Sequence, residues 1–161
     1  MSRSLAREIA MKMVYSELLD GSSTLMSVCD QMGISETKVF SPEKQPDEES
    51  VSFLLLTEED IDYCEKVVRG VSDNGEYLDS VIGDHSSGWS VDRISRVDLS
   101  ILRLCVFELC FMPEIPHSAS INAAVELAKT YGGEKTYSFI NGILGSIERS
   151  LPETDDGPVH A

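Results

Sequence analysis

The sequence predicts an all-α protein of about seven helices. Two observations lead there: apolar residues recur at three- and four-residue spacing through most of the chain, and no stretch sustains an alternation of period two. A third is punctuation, with Asp20-Gly21, Gly83 to Gly88, Pro113 with Pro116, and Gly132-Gly133 standing between the apolar stripes. At 161 residues, 42% apolar and 25% charged, the composition is that of one soluble globular domain able to bury a core without staples.

Residues 4–19 read as the first helix, with Leu5, Ile9 and Met13 at i, i+4, i+8 and Ala6, Ala10, Val14 and Leu18 widening the stripe. A shorter helix is expected from about Thr24 to Gln31, stopped by Gly33. Residues 35–52 combine prolines, serines and many acids with little apolar content, and the segment 35–56 is expected to form an acidic loop. Thr57 followed by Glu58, Glu59 and Asp60 has the form of an N-cap with acids in the first turn. The helix it opens carries Ile61, Cys64, Val67, Val68 and Val71, and resumes after a break near Gly75 with Tyr77, Leu78, Val81 and Ile82.

From Ser90 a short helix leads into a long apolar one through Ile94, Val97, Ile101, Leu104, Cys105 and Leu109. Pro116 suits a first helical turn, followed by Ile121, Ala124, Val125 and Ala128, with Tyr131-Gly132-Gly133 as the stop. The last helix is expected over about Glu134 to Arg149. Asn141-Gly142 has the form of a hairpin turn, yet Ile140, Ile143, Leu144 and Ile147 carry the helical period straight through it.

Charge is the unusual quantity. With 28 acidic and 13 basic residues the net charge is −15, which on its own argues against a nucleic-acid partner. Position changes that reading. Residues 36–65 hold ten acids and two bases, and the segment after Ser150 adds Glu153, Asp155 and Asp156, so these two stretches carry −11 of the −15. The rest is only mildly acidic.

Catalytic signals are weak. The chain has no phosphate-cradling glycine loop, no H-E-x-x-H, no G-x-S-x-G, and its three histidines lack partnered nucleophiles. Its four cysteines show neither C-x-x-C nor zinc spacing, and read as reduced, buried thiols of a cytoplasmic protein without metal or cofactor. Three basic features remain. Arg3 and Arg7, four apart, share a helix face, while Lys12 lies on the opposite side. Arg93, Arg96 and Arg103 fall within about 80° of one another if their helix is continuous, with Asp92 and Asp98 placed to neutralise part of the cluster. On the last helix, Phe139 and Lys135 lie to one side of the Ile140, Leu144, Ile147 stripe, which suits base stacking beside a cation. A phenylalanine packed against a neighbouring helix fits the same position equally well.

Several strings carry a family resemblance. A-R-E-I-A-M-K-M-V-Y (Ala6 to Tyr15), W-S-V-D-R-I-S-R-V-D-L-S-I-L-R-L-C-V-F-E-L (Trp89 to Leu109), I-P-H-S-A-S-I-N-A-A-V-E-L-A-K-T-Y-G (Ile115 to Gly132) and S-F-I-N-G-I-L (Ser138 to Leu144) occur in the order and near-spacing of the NusB transcription antitermination family. The resemblance covers most of the chain except residues 35–56 and the tail. It implies two packed three-helix subdomains, about 1–72 and 73–150, followed by a disordered acidic tail from 151 to 161. It also implies a non-catalytic factor that binds boxA-type RNA with the ribosomal protein acting as NusE, within the RNA polymerase antitermination complex. The family includes monomers and homodimers.

Carried over position by position, the resemblance implies RNA-binding roles for Arg3, Arg7, Arg103, Lys135, Phe139 and Asn141, with a weaker transfer to His85. It implies protein-partner roles for Tyr15 and Asp98. Structural roles suit Tyr15 and Asn141 as well, as a buried ring and an amide satisfying backbone groups. The chain departs from the family pattern where Ser4 and Leu5 interrupt the basic run, where Ser138 replaces a common lysine, and where Ala123 replaces a common glutamate. Fewer cations release fewer counterions, so weaker RNA binding with a shallower salt slope is expected. The competing expectation is an acidic helical adaptor that uses the fold for protein contacts only.

Overall fold

A computed structural model describes residues 2–19, 57–133 and 135–152. The expected helix Thr24 to Gln31, the acidic loop 35–56, Cys29 and the tail from 153 lie outside the described residues. Six α-helices occur among those described: α1 (Ser2–Leu18), α2 (Glu58–Asp73), α3 (Gly75–Asp84), α4 (Arg96–Phe111), α5 (His117–Tyr131) and α6 (Thr136–Ser150), with a 3₁₀ turn at Val91–Arg93 before α4. No strand is found among the described residues. The chain divides into two compact units, residues 1–73 and 74–161.

In the first unit α1 packs on α2. The apolar stripe of α1 buries Ala6, Ile9, Ala10, Met13 and Val14, with Met11 buried beside it, and that of α2 buries Tyr63, Cys64, Val67, Val68 and Val71, each at three- and four-residue spacing. The Cys64 thiol donates to the Ala6 carbonyl at 3.2 Å and ties the two helices together. The start of α2 is a reciprocal capping box. The Asp60 N–H donates to the Thr57 hydroxyl oxygen at 3.2 Å, and the Thr57 N–H donates to the Asp60 carboxylate at 3.0 Å.

In the second unit α4 packs against α3, α5 and α6. Its residues Leu99 to Leu102 and Leu104 to Leu109 are all buried, the signature of a central helix apolar round most of its circumference. Around it α3 buries Leu78 and Ile82, α5 buries Ile121, Ala124 and Ala128, and α6 buries Ile140, Ile143, Leu144 and Ile147. Ser95 caps α4 by accepting the Asp98 N–H at 3.2 Å. The buried Glu108 carboxylate accepts the Ser120 hydroxyl at 2.9 Å, joining α4 to α5.

Boundaries shifted where tertiary contacts outweighed local signals. Helix α3 runs through Gly83 to Asp84 before the chain turns through Ser87 (φ +52°) and Gly88 (φ +87°). Helix α6 begins at Thr136 and stays helical through Asn141-Gly142. Gly132, which ends α5, is extended rather than left-handed (φ −91°, ψ −179°). Glycine is required there by space: a Cβ would lie 2.5 Å from Thr136 Oγ1 and 2.7 Å from the Ala128 carbonyl oxygen.

Candidate nucleic-acid interface

The turn between α3 and α4 is fixed by Ser86, which is buried and whose hydroxyl bonds to the carbonyls of Gly83 and Trp89. The Trp89 N–H returns to the Ser86 carbonyl at 3.1 Å. This turn is pinned to α6 at two points. His85 Nδ1 meets Ser146 Oγ at 2.8 Å. The Trp89 ring meets the Phe139 ring edge-on, with centroids 6.1 Å apart and planes at 63°. Trp89 nevertheless remains 52% exposed, and Phe139 is half-buried.

Lys135 is exposed immediately before α6 and makes no ion pair among the described residues. At about 100° per residue, Lys135, Phe139, Gly142 and Ser146 fall along one stripe of α6. Asn141 is exposed, but it lies about 160° round the helix from Phe139. It shares the side of Tyr137, where Lys129, Gly132, Gly133 and Tyr137 line an open cavity of about 280 Å³. Lys129 Nζ stands 5.3 Å from the Tyr137 ring centroid and 3.5 Å from Glu126. Phe139 and Asn141, predicted as parts of one interface, therefore present to different surfaces of the second unit.

The continuous helix on which the expected arginine cluster depended is interrupted. Arg93 ends the 3₁₀ turn, Ile94 and Ser95 are extended, and α4 starts at Arg96, so no continuous helix aligns the three. Arg103 is instead held in a two-pronged ion pair by Asp79 of α3, its Nε at 2.7 Å from Oδ1 and its second nitrogen on Oδ2. The neutralising acid is neither Asp92 nor Asp98.

On α1, Arg7 is only 8% exposed and is engaged by a neighbour. Arg3 lies in the first turn of the same helix. Tyr15 is half-buried on α1. Asp98 is buried at the start of α4, and its Oδ1 has no hydrogen-bond partner among the described residues. That oxygen lies beside Gly132, 3.2 Å from where a Cβ would stand. Burial pushes the Asp98 carboxyl above the usual carboxylate range, against the opposing pull of its Ser95 hydrogen bond.

Trp89 is the residue that sequence reasoning passed over. The available signal was one large aromatic in a glycine-containing turn, but its partner Phe139 lies fifty positions away. Among the described residues no group of three or more metal-ligating side chains converges, and no helix is long and apolar enough to cross a membrane.

Comparisons with known proteins agree with this architecture. The NusB family model matches residues 4–149. A transcription antitermination protein NusB from Clostridium botulinum (strain Kyoto / Type A2) is 41% identical over 147 residues, covering 91% of this chain and 99% of the relative. One from Acetivibrio thermocellus is 40% identical over 157 residues, covering 98% and 95%. Among solved structures, T. maritima NusB superposes with a TM-score of 0.71 at 26% identity, over 92% of this chain and 91% of that one. A structure of antitermination factors NusB and NusE in complex with dsRNA gives a TM-score of 0.69 at 26% identity, over 93% and 98%. A six-helix arrangement without strands among the described residues, matched along nearly its whole length by both sequence and structure, places the chain in the NusB family, a family of non-catalytic antitermination factors.

Proposed function

We propose that this protein is an RNA-binding transcription antitermination factor of the cytoplasm. It binds boxA-type RNA together with NusE and helps RNA polymerase read through terminators in ribosomal RNA operons. The observation that carries the reading is the half-exposed ring pair formed by Trp89, in the turn before α4, and Phe139 on α6, one turn from the exposed Lys135. Exposed rings supply stacking platforms and the lysine supplies a phosphate contact, the two ingredients of single-strand recognition. The relative solved with NusE and dsRNA supports the same partner classes.

In this reading Lys135 and Phe139 form the central RNA contact, and Asn141, Arg103, Arg3 and Arg7 are the further RNA-binding positions that the family resemblance implies. Tyr15, half-buried on α1, is a contact for the protein partner; Asp98, the other position the resemblance implies, is buried at the start of α4 and offers little surface for one. Arg103 is already neutralised by Asp79 and Arg7 is buried, so few free cations meet the backbone. Binding by this protein alone is weak, and NusE contributes much of the attraction.

The test is a titration of boxA-type and scrambled RNA, with and without NusE, across several salt concentrations. The expected result is a preference for boxA-type RNA, strengthened by NusE, with a salt slope corresponding to only a few phosphates. Equal affinity for both RNAs at low salt in the presence of NusE overturns the reading in favour of a protein-only adaptor.

A further inference from the structure

The turn from His85 to Trp89 meets α6 at Ser146 and at Phe139, seven residues apart on one stripe, or about 10 Å along the helix. Between those two points the stripe is occupied by Gly142. A side chain there would meet nothing within 4 Å, and Gly142 is itself exposed. The result is a notch with a bare helical backbone as its floor, the Trp89–Phe139 ring pair at one end and the His85–Ser146 pair at the other. Cations stand at both ends of the stripe. Lys135 precedes Phe139 by one turn, and the Arg149 guanidinium folds back over Gly145, 3.3 Å from where a Cβ would stand. Neither makes an ion pair among the described residues.

We propose that this Gly142-floored notch receives one unpaired base of the bound RNA, and that Trp89 is its stacking platform. The inference rests on the RNA-binding reading above and assigns roles to Trp89 and Gly142. A flat base needs a ring to stack on and an approach free of side chains, which the exposed Trp89 face and the missing Cβ provide together. The T-shaped contact with Phe139 leaves Trp89 about half exposed. His85 Nδ1 is occupied by Ser146, which leaves Nε2 to meet the edge of the base. Lys135 and Arg149 are placed for the flanking phosphates.

Trp89 is the only tryptophan in the chain, so its emission reports directly on the notch. The experiment titrates labelled single-stranded boxA-type RNA into the protein with NusE at low salt. It follows RNA anisotropy and tryptophan emission together, with Trp89→Phe supplying the background. Binding should quench Trp89 emission in step with anisotropy. Gly142→Gln should fill the notch, weaken binding roughly tenfold or more and abolish the quench, and Trp89→Ala should weaken binding to a similar extent. Gly142→Gln should melt no lower than the parent, because glutamine is the better helix former on an open face. Binding with unchanged Trp89 emission, or parental affinity in Gly142→Gln, overturns the proposal and leaves RNA binding standing. Absence of any RNA binding overturns both.

Discussion

Two glycine-to-alanine substitutions in the second unit should have opposite signs. At Gly132 a Cβ would stand 2.5 Å from Thr136 Oγ1, 2.7 Å from the Ala128 carbonyl oxygen and 3.2 Å from Asp98 Oδ1. The Thr136 hydroxyl is committed to the Gly133 carbonyl at 2.6 Å, and the Ala128 oxygen already accepts the Gly132 N–H at 2.8 Å. Relief therefore requires the end of α5 and the start of α6 to move apart. Overpacking of this kind costs about 1–3 kcal/mol. Weakening the Gly132 hydrogen bond adds about 1 kcal/mol. Alanine restricts the unfolded chain and returns about 0.4–1 kcal/mol.

Gly132→Ala should thus lose about 2 kcal/mol, a fall in Tm of about 4–8 °C for a chain of this size. Gly142→Ala, in the open middle of α6, should gain about 0.8–1 kcal/mol from helix propensity alone. Urea denaturation and thermal melting of the two variants beside the parent make the comparison. A Gly132→Ala protein as stable as the parent would refute the spatial argument for that glycine. The φ of −91° leaves no conformational argument in its place.

Other perturbations follow from contacts described above. Asp79→Asn strips the partner from Arg103, whose side chain is only 17% exposed, and should cost about 1–2 kcal/mol in denaturant melts; a double-mutant cycle with Arg103→Met should return most of that as coupling. Thr57→Val removes both capping interactions of its hydroxyl at the start of α2, and should cost about 1 kcal/mol, read by thermal melting. The Asp98 carboxyl has a folded pKa raised by burial, so the folded state holds its proton more tightly and its contribution to stability falls as pH rises through and above the ordinary carboxylate range. Asp98→Asn should therefore gain stability relative to the parent between about pH 4 and pH 7, and a difference that stays flat across that range counts against the raised pKa.

How much was legible beforehand varies with distance along the chain. The stripes of α1, α4 and α6 are local patterns, and the structure buries Ile9, Ile101 and Ile147 on them as their spacing predicts. The helical period through Asn141-Gly142 outweighed the hairpin signal because Ile143, Leu144 and Ile147 bury against α4 and its neighbours. Pairings between distant residues were invisible. Asp79 stands 24 residues before Arg103, so the arginine looked like a free cation when it is a neutralised one. The Ser95 cap broke the helix that would have aligned Arg93 with Arg103. Trp89 gained its meaning only when the turn folded it onto Phe139. Arg7 shares a predicted face with Arg3, but its exposure depends on what packs over it, which i, i+4 spacing does not encode.

The Thr57–Asp60 capping box has a consequence for variation within the chain. A helix whose first turn is closed by its own residues takes its register from them and not from the segment before it. Residues 20–56 join α1 to α2 and contain seven of the 28 acidic residues. Insertions, deletions or charge changes there leave the start of α2 encoded four residues at a time, in Thr57 to Asp60. The first turn of α2 thus holds its own frame, whatever sequence precedes it.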